Sequence, residues 1–309
     1  MGTPRAAVPT LERILLDGHD VAAVYTQPDR PSGRGNKIVF SPVKEFAVKK
    51  DLTVIQPLKI RRSESIETFR SHKADVAVVV AYGRILPEEY LEAFPMGAIN
   101  VHFSILPKYR GAAPVNWAIV NGETKTGVTT MRMDAGLDTG AILLQSSTSI
   151  GNDETAVELT ERLSISGAEL LSETLTNLAN ISLIPQNHEL ATHAPILKRE
   201  DGLIDWQLSA ADIANRVRGF QPFPTAFTHY QKSRLTIWQA NTQAVEAGRQ
   251  FVPGEVLETG DGQILVGCGD GSALSIEELQ LEGKRRLKAR DFLNGVKLLK
   301  GQELAAYGE

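Results

Sequence analysis

Strand-like runs at 21–25, 53–56, 74–81, 98–103, 127–133 and 142–150 are separated by stretches in which apolar positions recur every three or four residues. The first pattern suits strands and the second suits amphipathic helices, so this part of the chain predicts an α/β sheet with crossover helices. Leu11, Ile14 and Leu15 share one helical face, and Leu159, Leu163, Leu170 and Leu178 line a longer helix for which Asp153 is the expected N-cap. The stretch Val76 to Val80 is apolar throughout, as a strand covered on both faces requires, and is expected at the centre of the sheet.

Near residue 180 the periodicity fades. Residues 181–206 form a polar stretch with Pro185, Pro195 and the charged run Lys198 to Asp201, read here as a linker between a domain at 1–180 and another at 207–309. The second domain shows short strand patterns at 226–230, 235–240, 255–259, 264–268 and 274–281, then a helix over 289–299. Five short strands at close spacing predict a small β-barrel of the oligonucleotide-binding (OB) type.

Composition narrows the classes. A net charge of −4 excludes a chain coated in base, so any nucleic acid must be met by local patches. The excess of acid lies before residue 207, with 25 acidic against 21 basic residues, while the remainder is balanced at 12 of each. Cys268 is the single cysteine, which rules out an intrachain disulfide or a cysteine-based zinc site and fits a reducing cytoplasm. It sits in an apolar strand pattern, as a small buried hydrophobe does. The remaining histidines show no metal-ligand spacing, and no metal is expected.

Candidate chemistry concentrates in GAINVHFSILPKYRGAAP, residues 97–114, which runs from a strand into a loop rich in Pro and Gly. Alternation places Asn100 and His102 on one face, at the carboxyl end where open α/β sheets bind ligands. A second segment, MRMDAGLDTG at 131–140, sets two carboxylates in a turn that can carry Asp138 back towards His102. Each element alone has an ordinary explanation, since strand histidines are often structural and aspartates are common in turns.

Taken together, Asn100-Val101-His102, SILPKYRG at 104–111 and DAGLDTG at 134–140 resemble the signature of the folate-dependent formyltransferases. The resemblance implies a Rossmann-like doubly wound sheet, a 10-formyltetrahydrofolate donor and an amine acceptor, with Asn100, His102 and Asp138 around the formyl carbon. It further implies a folate pocket lined by Gly83, Arg84, Ile85, Leu86, Ser104, Ile105, Leu106 and Pro107. The chemistry asks for such a trio. Amine attack on a formyl group creates an oxyanion that positioned donors stabilise, and the attacking nitrogen must lose a proton. One departure stands out: the resemblance calls for an apolar first strand before the GTP motif, whereas the chain opens MGTPRAAVP, with Arg5 and Ala6 where the family usually has an acidic residue and an aromatic. The first strand is therefore expected to be missing, leaving neighbouring backbone groups unpaired.

The acceptor must be read from the rest of the chain. The stretch PDRPSGRGNK at 28–37 is similar to the basic loop of the methionyl-tRNA formyltransferases, which implies that Arg30, Arg34 and Lys37 meet the acceptor end of initiator methionyl-tRNA. The run KRRLKAR at 284–290 adds Lys284, Arg285 and Arg286 as candidate RNA contacts on the second domain. The expected partners are thus initiator methionyl-tRNA and the folate donor, with the protein itself a monomer. An amino-sugar formyltransferase with the same trio is the nearest alternative, and the basic loop argues against it. A formyltetrahydrofolate hydrolase would carry a further regulatory domain, and a non-catalytic RNA-binding protein would not need the intact trio.

Overall fold

The computed structural model of the chain describes residues 1–32, 37–246, 248–260 and 262–304, and of residues 30–32, 37 and 38 the backbone alone. Two compact units emerge. The first comprises 1–114, 125–149 and 159–195, and the second comprises 115–124, 150–158 and 196–309.

In the first unit the strands are β1 (Val24–Tyr25), β2 (Arg30–Ser32), β3 (Lys37–Val39), β4 (Val54–Ile55), β5 (Ala77–Val79), β6 (Ala98–His102), β7 (Arg110–Gly111), β8 (Lys125–Arg132), β9 (Ile142–Ser149) and β10 (His193–Ala194). Its helices are α1 (Val8–Leu16), α2 (Pro42–Lys49), α3 (Ser63–Ser71) and α4 (Glu88–Leu91). Sequence chemistry explains where they begin. Pro9 opens α1, and α2 has Pro42 in its first turn with the Ser41 hydroxyl accepting from the Lys44 amide at 3.1 Å. β1 pairs parallel with β4, and β5 pairs parallel with β6. The sheet then reverses, because β6–β8 and β8–β9 are antiparallel. Alternation reports which residues share a face but not strand direction, so the mixed character was invisible in the sequence.

Among the described residues, Met1 and Gly2 stand between β1 and β5, so backbone groups expected to be left unpaired there find partners. The Gly2 amide donates to Tyr25 O, the Val80 amide donates to Met1 O, and the Met1 amine donates to Val78 O at 2.6 Å. Beyond Met1, an apolar cleft of about 470 Å³ runs between residues 21–25 and 74–80, with Leu11, Ile14 and Leu178 among its lining. Burial penalises the charged amine and lowers its pKa from 8.0 to about 5.

The helix predicted over Leu159 to Leu178 is α6 (Ala156–Asn177), preceded in the chain by α5 (Pro114–Val120). Its cap differs from expectation. Thr155 rather than Asp153 holds the N-terminus: the Thr155 hydroxyl accepts from the Glu158 amide at 3.3 Å while Glu158 Oε2 accepts from the Thr155 amide at 2.9 Å. The Thr-Ala-Val-Glu spacing is a capping box, which satisfies two orphan donors where Asp153 would satisfy one.

The second unit is organised on an antiparallel sheet of β11 (Ala226–Tyr230), β12 (Ser233–Gln243), β13 (Val256–Glu258), β14 (Ile264–Gly267), β15 (Ala273–Leu281) and β16 (Leu287–Lys288). Its order is β11-β12-β15-β14-β13, with β16 also on β15. A register shift between Ile237 and Ala240 bulges β12, and such bulges bend a strand. Helix α7 (Ala210–Gly219) buries Ile213 and Val217 in the same apolar cluster as Ile237, Ile264 and Leu279, to which Phe292 of α8 (Ala289–Gly295) also belongs. Among the described residues, no helix is long and apolar enough to cross a membrane.

Candidate active site

Strand β6 is buried along its whole length and ends on His102, with only 5% of the side chain exposed. Its alternation delivers Asn100 and His102 to one face, and the loop between β8 and β9 returns Asp138 to meet them. The His102 Nδ1 lies 3.7 Å from Asp138 Oδ2, and Asn100 Nδ2 lies 3.5 Å from Asp138 Oδ1. Both separations leave these groups only loosely engaged with each other.

The imidazole tautomer follows from its other contact. His102 Nε2 lies 2.9 Å from the Tyr109 carbonyl, which can only accept, so the neutral ring carries its proton on Nε2. Nδ1 therefore turns a bare lone pair towards the Asp138 carboxylate. A proton arriving at Nδ1 would convert that contact into an ion pair.

Asp138 adopts a left-handed backbone with φ 52°, a region that Asp enters more readily than most residues. Its Oδ2 accepts from the Gly111 amide at 2.8 Å. Asp134, the other carboxylate of the segment, shapes the turn instead, accepting from the Gly136 amide at 3.1 Å and the Thr139 hydroxyl at 2.7 Å.

Residues 104–107 follow β6 directly. Thr129 Oγ1 donates to Ser104 O at 2.7 Å and accepts from the Leu106 amide at 3.1 Å, while Gln145 Nε2 donates to Leu106 O at 2.8 Å. Ser104 and Leu106 are consequently buried. Residues 83–86 follow β5 at the neighbouring strand end, where Arg84 donates to Gln27 Oε1, Pro57 O and Leu58 O. Leu86 is buried but Ile85 is 72% exposed, an apolar side chain presented to solvent beside the strand ends.

The other candidates are dispersed. Arg34 lies outside the described residues, and of Arg30 and Lys37 the backbone alone is described, in β2 and β3. The base of that loop is held by Lys44, which binds Asp29 and Gln56 Oε1. In the second unit Lys284 and Arg285 are exposed, whereas Arg286 is tied to Glu278 and lies 5.1 Å from the Trp238 ring.

Several contributors lay outside the sequence reading. Tyr109 O and the Gly111 amide act through the backbone, which carries no residue signature. Thr129 and Gln145 lie in strands that carry several other polar residues, so nothing in the sequence singled them out. Gln186 falls in a stretch read as a linker and gave none.

A sequence profile described as formyl transferase matches residues 1–175, and one described as formyl transferase, C-terminal domain, matches 196–297. Fold, trio and both matched domains define the class: a formyl transferase. The methionyl-tRNA formyltransferase of Geobacter metallireducens is 50% identical over 306 residues, covering 98% of this chain and 97% of that protein. That of Acetivibrio thermocellus is 46% identical over 306 residues, covering 98% of each chain. The chain belongs to the methionyl-tRNA formyltransferase family. Among solved structures, an N-formyltransferase from Helicobacter canadensis in complex with folinic acid and dTDP-3-aminofucose aligns with TM-score 0.65 at 21% identity, over 89% of this chain and 96% of that one, which speaks for the fold.

Proposed function

We propose that this enzyme transfers the formyl group of 10-formyltetrahydrofolate to the α-amino group of methionine on initiator methionyl-tRNA. The observation that carries the reading is the convergence of Asn100 and His102 on the Asp138 carboxylate. In the reaction the amine nitrogen bonds to the formyl carbon and the carbonyl oxygen gains negative charge. Asn100 Nδ2, held only at 3.5 Å by Asp138, is the available donor to that oxygen, a type of contact commonly worth about 3 kcal/mol. The amine proton passes to the His102 and Asp138 pair. It is delivered to N10 of the folate as the N10–carbon bond breaks, returning both residues to their starting state.

Residues Gly83 to Leu86 and Ser104 to Pro107 are assigned to the folate, since both loops leave adjacent strand ends and Ile85 offers apolar contact area to a ring system. The acceptor is assigned to tRNA because relatives near 50% identity across the whole chain carry that name. Arg30, Arg34 and Lys37 are assigned to the acceptor end, Lys284 and Arg285 to the phosphate backbone, and the curled sheet of the second unit is read as an OB-type RNA module. Arg286, already paired within its own unit, is the weakest of these candidates. The test is transfer of labelled formyl to methionyl-tRNA and to an amino sugar, with His102→Ala as control. Transfer to the sugar alone would overturn the acceptor; activity surviving His102→Ala would overturn the site.

A further inference from the structure

The loop that carries Asp138 is fastened from a part of the chain 46 to 48 residues away. Gln186 is 6% exposed, and its amide Nε2 donates to Asp138 O at 2.9 Å and to Gly140 O at 2.7 Å. Its Oε1 accepts from Arg110 Nε at 3.1 Å and from the terminal Arg110 Nη2 at 2.6 Å. The orientation of the amide is not arbitrary. Backbone carbonyls only accept and a guanidinium only donates, so the flipped amide would face both sets of partners with the wrong atom.

These contacts close a ring on Asp138. Its carboxylate is bound by the Gly111 amide, and its backbone is bound through Gln186 to Arg110, the preceding residue. The adjoining residue, Tyr109, supplies the carbonyl that fixes His102. One tripeptide, Tyr109 to Gly111, therefore holds both members of the proton-handling pair, and Gln186 is the side chain that ties the Asp138 loop to it. The tripeptide is itself anchored on the segment that bears Gln186: Tyr109 N donates to Thr192 Oγ1 at 2.9 Å, Arg110 N donates to Thr192 O at 2.9 Å, and β7 pairs parallel with β10. Gly111 permits this close approach, because a Cβ there would lie 2.5 Å from Ala194 O and its φ is 122°.

We propose that Gln186 is a positioning residue for the formyl transfer, acting on the rate by holding Asp138 in register with His102. The inference rests on the assignment of Asp138 given above. Asp138 sits in a sparsely populated left-handed conformation that its surroundings must hold, and the buried Gln186 amide, bonded to the carbonyls of Asp138 and Gly140, contributes that restraint on the backbone beside the Gly111 bond to the side chain.

A double-mutant cycle tests it, using the full chain with methionyl-tRNA and 10-formyltetrahydrofolate. Gln186→Leu is expected to lower kcat by roughly ten- to hundredfold, with KM for both substrates within about threefold, since a displacement near 1 Å costs rate rather than binding. Introduced into Asp138→Asn, which is itself impaired, the same change should cost less than about twofold more. Losses that multiply in the double variant would overturn the proposal, because Gln186 would then act on something other than Asp138. Full activity of Asp138→Asn alone would instead overturn the catalytic assignment on which the proposal rests. Should Gln186→Leu not fold, Gln186→Glu takes its place, being of equal size and retaining an acceptor for Arg110 while losing both donors. The pH-rate profile of Gln186→Leu supplies the second readout: it should shift towards that of Asp138→Asn, and the double variant should match Asp138→Asn alone.

Discussion

Gly140→Ala is a one-methyl change whose consequence can be worked from the fold. A Cβ at Gly140 would lie 1.8 Å from Arg132 O and 3.0 Å from Arg132 C. Arg132 cannot retreat, because it is paired with Ile99 of β6 and its amide donates to Ala141 O. The loop must therefore move, by about 1.5 Å to restore ordinary van der Waals separation. A shift of that size removes the Gln186 contact to Gly140 O and the Gly111 contact to Asp138. At about 1 kcal/mol for the bond to Gly140 O and about 2 kcal/mol for the bond to the carboxylate, the two lost hydrogen bonds lower stability by about 3 kcal/mol. The displacement of Asp138 is far more damaging to rate, on the order of a hundredfold. The assay is steady-state formyl transfer to methionyl-tRNA beside a thermal melt, with Gly295→Ala as control, since a Cβ there meets nothing within 4 Å. A kcat within about threefold of the parent, with the protein folded, would refute the claim that this loop sets the reacting geometry.

Three further outcomes are expected. Because the Met1 amine has a folded value of about 5 against 8.0 in the free chain, the unfolded state binds more protons between those values. Stability should thus rise from pH 5 to 8, by at most about 4 kcal/mol, and chemical acetylation of the amine should remove that slope in urea titrations. Burial pushes the Cys268 thiol up to about 12, so maleimide at pH 8 should leave the native enzyme unmodified and label it only in denaturant; rapid native labelling would contradict the burial of Cys268 just after β14. Thr129→Val keeps the shape of the side chain but deletes the hydroxyl serving Ser104 O, Leu106 N and Gln145 Nε2. It should cost about 1–3 kcal/mol of stability and raise KM for the folate more than it lowers kcat, and an unchanged KM would separate that loop from folate binding.

The parts that were legible in the sequence are those that period and residue type encode. The strand frame appeared in the apolar runs, and the shared face of Asn100 and His102 followed from alternation. Strand direction did not appear, since β8 and β9 alternate in the same way whether they run parallel or antiparallel to β6. Residual pairing at Met1 and Gly2 was equally hidden, because two residues carry no pattern. The arrangement around Asp138 depends on backbone atoms of Tyr109 and Gly111 and on a glutamine brought from Gln186, and neither leaves a periodic trace. Asp134 and Asp138 look alike in the motif. Only the fold separates the carboxylate that closes the turn from the one that faces His102.

The segment from Ile184 to Ala194 has a practical consequence for dividing this enzyme. It contributes a bridge from Ile184 to Ile142, the Gln186 amide, Thr192 and strand β10, all directed at the loops around the trio. A fragment ending where the long helix ends, near residue 177, would keep Asn100, His102 and Asp138 in its sequence. It would also leave Arg110 buried without its acceptor and the Asp138 loop without its tether. Such a fragment would own the three side chains proposed to react and lack the means to hold them in alignment; one that runs through Pro195 retains both.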